Sequence, residues 1–247
     1  DSLSLDRHCH SDRHRNHRDV YHQGSQLTAP MAKPPRVVLL GPPASGKGTQ
    51  GRRLAESLGI AYLSTGALLR EHIEQATELG KLATPILARG EYLPDALMCP
   101  ILEDWLSQQT GGWVLDGFPR SLPQALFLDE WLAARNLGVD VVVSLEVPIS
   151  ELLKRISARV ECPECRWSGQ QLQLVRGNHC PMCGSPAGPR ADDSEENFRS
   201  RHAEFSNLTQ PVIAHYQARS LLSVFDATLD QDTVASQIRL HFTGIRS

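Results

Sequence analysis

One nine-residue stretch constrains this chain more than any other: Gly41-Pro42-Pro43-Ala44-Ser45-Gly46-Lys47-Gly48-Thr49. It follows a short apolar run, Arg36 to Leu40, which reads as a buried parallel strand. Downstream, Leu54, Ala55 and Leu58 fall on one face of a helix pattern that ends near Gly59. Strand, glycine-rich turn, lysine and helix in that order make a phosphate cradle. Backbone N–H groups curl around the phosphates, the helix N-terminus adds its dipole, and Lys47 bridges the β and γ phosphates. The strict pattern puts Ser or Thr directly after the lysine; here Gly48 holds that place and Thr49 follows. Read alone, the loop says only that a nucleoside triphosphate binds.

The rest of the chain repeats the alternation of strand and helix. Ala61 to Leu63, Trp113 to Leu115, Val141 to Leu145, and Val224 with Phe225 read as four further strands. A helical region runs from Ala67 to Trp105, broken near Gly90 and Pro94. The pattern predicts an α/β fold with a five-stranded parallel sheet covered on both faces. Such sheets bind ligands at the carboxyl ends of their strands, so the loops after Leu40, Leu63 and Leu115 should carry the chemistry. At the third of these stands Asp116. Its carboxylate can orient Mg²⁺ through the ion's waters; a turn or N-cap aspartate is the competing reading.

Composition narrows the class. The chain has 247 residues, 40% of them hydrophobic, and a net charge of −3. That leaves no global basic field to recruit nucleic acid or an anionic membrane, and no apolar run approaches a membrane span. Residues 1–33 stand apart as a His-rich tail. Half of the histidines lie there (His8, His10, His14, His17, His22), with Arg and Asp in balance and few large apolar residues. Such a segment cannot bury enough apolar area to offset its chain entropy and is expected to be disordered, with Met31 opening the folded domain. Metal capture by Cys9 and these histidines is the competing reading. The tail has no apolar signal core, and its four aspartates argue against a transit peptide, so a reducing cytoplasm is the expected location.

There, paired cysteines favour metal over disulfide. Cys162-x-x-Cys165 and Cys180-x-x-Cys183 are separated by fourteen residues. Four thiolates fill every position of a tetrahedral ion, giving a closed structural site for Zn²⁺ or an iron-type substitute. A nucleic-acid-binding zinc ribbon is the rival, but residues 161–196 hold six acidic side chains against three arginines, the wrong polarity for a phosphate backbone.

Several motifs together resemble the adenylate kinase family, of the type with a zinc-bearing lid. They are G-P-P-A-S-G-K-G-T-Q from Gly41, L-S-T-G-A-L-L-R (Leu63 to Arg70), L-D-G-F-P-R (Leu115 to Arg120) and R-A-D-D (Arg190 to Asp193), and the likeness spans residues 36–245. The resemblance implies Mg-dependent, reversible transfer from ATP to AMP, giving two ADP. It implies a core of about 34–63, 106–157 and 197–247, an AMP-binding insert of about 64–105 and a lid of about 158–196. Gly41, Ala44, Ser45, Gly46, Lys47, Gly48 and Thr49 would bind ATP, with Arg155, Arg159 and Ala227. Thr65, Arg70, Tyr92, Leu93, Gly117, Arg120, Gln124, Arg190 and Arg201 would bind AMP. Lys47, Asp116, Arg120, Arg155, Arg159, Arg190 and Arg201 would carry catalysis. Asp192 and Asp193 would brace the lid arginines. A monomer is implied, with no nucleic-acid or membrane partner.

Some positions admit two readings. Ser121-Leu122-Pro123-Gln124 spells a capping box, in which Gln124 bonds the N-cap backbone; the resemblance instead has Gln124 read the adenine edge. Arg155 and Arg159, at i and i+4, are expected to share a helix face. Ala44, Ala67 and Ala227 replace a glycine, an aspartate and a glycine usual in the family. They motivate a rival reading, a nucleotide-binding protein with impaired catalysis; UMP or CMP as acceptor is another. Cys99 reads as core, and His202 and His215 as structural or solvated.

Overall fold

The computed structural model describes residues 33–190 and 192–244; the His-rich tail, with Met31, lies outside them. Strands β1 (Arg36–Leu40), β2 (Ala61–Ser64), β3 (Trp113–Asp116), β4 (Val141–Glu146) and β8 (Leu222–Asp226) form one parallel sheet in the order β2-β3-β1-β4-β8. The near-continuous apolar runs are explained by burial on both faces. Side chains alternate, so Val38 and Leu40 join Leu115, Phe118, Leu128 and Tyr216 on one side. Val37 and Leu39 join Leu54, Val143, Ile238 and Phe242 on the other. Each fully buried aliphatic side chain contributes about 1.5–3 kcal/mol.

Helices α1 (Lys47–Leu58), α2 (Thr65–Glu74), α3 (Glu78–Ala88), α4 (Asp95–Ser107), α5 (Leu122–Ala133) and α6 (Ile149–Ser157) follow in chain order among these strands. Their starts use the expected chemistry: the hydroxyls of Ser64, Thr77 and Ser121 accept backbone N–H groups from the first turns of α2, α3 and α5. The sequence reading located the breaks at Gly90 and Pro94 but not the one at 75–77. There Ala76 turns to φ 50° and Thr77 caps a new helix. Gly80 lets α3 fold tightly onto α2, since a Cβ on it would fall 2.0 Å from the His72 carbonyl oxygen.

Beyond α6 a small antiparallel sheet, β5 (Arg159–Glu161), β6 (Ser168–Gln170) and β7 (Gly188–Pro189), carries the cysteine segment. This corrects the expectation that Arg155 and Arg159 share a helix face. The helix ends at Ser157, and Arg159 already pairs with Gln170 in β5. Strand pairing overrides the helical spacing, and the two guanidiniums part. Helices α7 (Glu195–Glu204), α8 (Gln210–Ala218) and α9 (Gln231–Gly244) complete the fold. A π-helical turn at Phe205–Thr209 joins α7 to α8. No described helix is long and apolar enough to cross a membrane.

Candidate active site

The loop between β1 and α1 lies at the carboxyl end of the sheet, as the topology requires. Ala44 adopts φ 64°, the left-handed conformation that an alanine enters at a cost of about 1 kcal/mol. The Lys47 ammonium donates to the carbonyls of Gly41 at 2.7 Å and Pro42 at 2.9 Å. Burial lowers its pKa from 10.5 to about 8; Asp116 opposes that shift, while Arg120 and Arg159 add to it. Two separate stretches of sequence, 116–120 and the start of β5, therefore place charge around one lysine. Ser45 Oγ is buried with no hydrogen-bond partner. Asp116, at the end of β3, is buried as well and accepts a hydrogen bond at 3.1 Å from the hydroxyl of Tyr62.

The turn after β3 is built for close approach. Gly117 has φ 84°, and a Cβ there would lie 2.6 Å from Thr65 Oγ1. Thr65 Oγ1 instead donates to the Gly117 carbonyl at 2.9 Å, which also accepts from Arg120 Nε at 2.7 Å. The Arg120 guanidinium lies over the Tyr92 ring, 4.2 Å from its centroid. From behind, Thr209 on the π-helical turn donates to the Arg120 carbonyl at 2.9 Å. Thr65, Leu69, Tyr92, Leu93, Arg120 and Gln124 line a cavity in front of this turn.

Gln124 resolves its two readings in part. The Ser121 hydroxyl accepts the Gln124 N–H, which is half of a capping box. The other half is absent. Gln124 Oε1 accepts from the Arg120 N–H at 2.7 Å, and its Nε2 donates to Asp95 Oδ1 at 2.6 Å. A donor at one end and a carboxylate at the other fix which way the amide points.

Around the cleft the arginines are held by carboxylates. Arg159 pairs with Asp193; Arg190 Nη2 donates to Asp192 at 2.8 Å; Arg201 Nη2 reaches the same carboxylate at 2.6 Å. Burial alone would raise the Asp192 carboxyl, but Arg190 and Arg201 outweigh it and hold it well below its ordinary range. Glu161 lies 3.5 Å from Arg70 and 3.2 Å from Arg190. Arg155 stands apart, donating to the Ala227 carbonyl at 2.7 Å. Of the sequence-identified arginines, the structure therefore links Arg70, Arg159, Arg190 and Arg201 through Glu161, Asp192 and Asp193, and ties Arg155 to Ala227.

The sulfur atoms of Cys162, Cys165, Cys180 and Cys183 lie within 4.8 Å of one another, placed to hold one metal ion. His202 lies beside Phe198, and His215 is 2.7 Å from Asp129, both structural as expected. Cys99 packs, half-buried, against the core. The sequence reading missed Tyr62, Glu161 and Thr209. Glu161, a polar residue directly before Cys162, was the one with a visible signal. Thr209 owes its position to a π-turn that no periodicity announces.

A family model described as adenylate kinase matches residues 39–221. The adenylate kinase of Archaeoglobus fulgidus is 38% identical over 218 residues, 85% of this chain and 99% of that protein. That of Streptomyces coelicolor is 40% identical over 204 residues, covering 81% and 94%, and that of Finegoldia magna 39% over 208, covering 82% and 96%. With likeness running from inside β1 to the threshold of β8, over nearly the whole length of these relatives, the chain belongs to the adenylate kinase family of phosphotransferases.

Proposed function

We propose that the chain catalyses the Mg-dependent, reversible reaction ATP + AMP = 2 ADP. The observation that carries this reading is the shared electrostatic environment of Lys47, Asp116, Arg120 and Arg159. A migrating phosphoryl group needs positive charge on both sides and no general base, because the attacking AMP phosphate oxygen is already anionic. Lys47 and the backbone of 41–49 hold the donor phosphates. Arg70 and Arg120 grip the acceptor phosphate, Arg120 offering a fork stacked on Tyr92. Arg159, Arg190 and Arg201 close around the transfer point. Arg155 and Ala227 face the donor nucleotide as a linked pair.

Gln124 supports AMP over UMP or CMP. Each end of its amide retains one further hydrogen-bonding site, so a fixed donor and acceptor remain side by side for an adenine edge.

Two metals fit the residues present. The buried carboxylate of Asp116, beside Lys47, is a hard oxygen donor suited to Mg²⁺, which would neutralise phosphate charge. The four clustered thiolates suit a structural Zn²⁺. Residues about 158–196 act as the lid, about 64–105 as the AMP-binding insert, and the protein works as a cytoplasmic monomer. The test is a coupled ADP-formation assay with each nucleoside monophosphate, with metal content measured on the same sample. Turnover with UMP and none with AMP overturns the assignment; bisubstrate binding without turnover favours the impaired-catalysis reading that Ala44, Ala67 and Ala227 motivate.

A further inference from the structure

Tyr62 sits on β2, two residues before Ser64, and β2 runs parallel to β3 with Ser64 opposite Asp116. Its ring projects back against α1. A Cβ on Gly51 would fall 2.8 Å from the ring, and one on Gly48 would come within 3.6 Å of Asp116 Oδ2 and 3.8 Å of the phenol oxygen. Gly51 thus clears the space for the ring, while a side chain at 48 would make only ordinary contact. The Arg52 guanidinium lies over the ring, 5.5 Å from its centroid. The hydroxyl ends 3.1 Å from Asp116 Oδ2.

We infer that Tyr62 is a positioning residue for the metal-orienting carboxylate: its hydroxyl pins one oxygen of Asp116 and so fixes how the other presents to the hydrated cation. The inference rests on the Mg²⁺ role proposed for Asp116. A carboxylate free to rotate at the end of a strand samples orientations that do not meet the ion's waters. A hydrogen bond from a buried, rigid ring removes that freedom, as outer partners of metal-binding groups generally do. The Gly48 carbonyl of α1 lies farther off, 3.5 Å from the phenol oxygen, so the single phenolic proton is directed to Asp116.

The experiment compares Tyr62→Phe, which keeps the ring against Gly51 and removes only the hydroxyl, with Asp116→Asn and the unaltered protein. Mn²⁺ is titrated into enzyme with ATP and followed by water-proton relaxation; separately, turnover is measured against Mg²⁺, and the AMP KM and Tm are recorded. Tyr62→Phe should weaken ternary Mn²⁺ retention and raise the half-saturating Mg²⁺ by about tenfold, with the AMP KM and Tm nearly unchanged. An unaltered metal response in Tyr62→Phe beside a weakened one in Asp116→Asn overturns the role of Tyr62 alone. Unaltered responses in both variants overturn the metal reading of Asp116, and the positioning role with it. A fall in Tm and a rise in AMP KM with no change toward Mn²⁺ shows a packing role and also overturns the proposal.

Discussion

Glu74, in the last turn of α2, and Arg166, one residue past Cys165, form a two-point ion pair between that helix and the cysteine segment, with Arg166 Nη1 donating to Glu74 Oε1 at 2.9 Å. One turn earlier on α2 the signs are exchanged: Arg70 faces Glu161 of β5. α2 therefore offers a cation and an anion at i and i+4, and the cysteine segment answers with the reverse. The pairing fixes register, because a slip by one turn would set like charges together. Glu74 is half exposed, so the pair contributes only about 0.5–1 kcal/mol. Either single reversal, Glu74→Arg or Arg166→Glu, should weaken binding of a bisubstrate dinucleotide by about 3- to 5-fold, and the double reversal should restore it. Calorimetric titration of the four proteins checks this; a double variant no better than either single one shows that the pair has no part in holding α2 and the cysteine segment together for binding.

Lys47 gives a pH dependence whose sign follows from its burial. Burial lowers the pKa of its ammonium from 10.5 to about 8. Affinity for a non-hydrolysable ATP analogue should be flat below that value and fall by up to about tenfold per pH unit above it, as binding must then recover the proton. Stability runs the other way. Because the folded pKa is depressed, the unfolded chain binds more protons between about 8 and 10.5, and the cost of burying the charge, present below 8, fades across that window. Lys47→Arg, charged throughout, should bind the analogue more weakly and without this dependence. An unchanged affinity for the original protein two pH units above its transition contradicts the burial argument.

The five sheet strands and the phosphate loop were legible because both signals are local: an apolar run bounded by glycine, and a lysine at fixed spacing. The cysteines were legible for the same reason. Apart from the local break at 75–77, the hidden features depend on partners distant in sequence. Arg159 looks helical by spacing until β6 pairs with its strand. Tyr62 reads as an ordinary strand aromatic; only the β2–β3 register and the room left by Gly51 on α1 reveal that its hydroxyl meets Asp116. Gln124 spells a cap, yet its amide is claimed by Asp95, 29 residues earlier.

Ala44 offers a stability test at the phosphate loop. At φ 64° its Cβ crowds the backbone, whereas glycine occupies this region freely. Ala44→Gly relieves that strain but loosens the unfolded chain by about 0.4–1 kcal/mol, so the net gain should be at most about 0.5 kcal/mol, a rise in Tm of about 1–2 °C. Nucleotide affinity should hold or improve, since the loop's N–H groups keep their geometry. Thermal unfolding in parallel with calorimetric ATP binding tests both parts. A lower Tm would mean that contacts of the methyl group outweigh its conformational cost.

Metal removal should separate the cysteine segment from the rest of the fold. Its own apolar core is Cys162, Cys180 and Ala187 with Cys165, Trp167 and Leu174 against them, while Leu172 is 95% exposed. That is too little buried area to hold some thirty residues, so the ion must supply most of their folding free energy, on the order of 10 kcal/mol by comparison with small zinc domains. The large sheet has its own two-sided core and should survive. Cys165→Ser, or prolonged chelation, should therefore expose the segment between Cys162 and Arg190 to protease while the rest resists. Turnover should fall by about 100-fold, because Arg159 and Arg190 flank the segment and lose their fixed approach to the cleft. ATP-analogue binding, centred on Lys47, should change far less. A metal-free protein that still resists cleavage there would show that the thiols and the short strands β5–β7 suffice on their own.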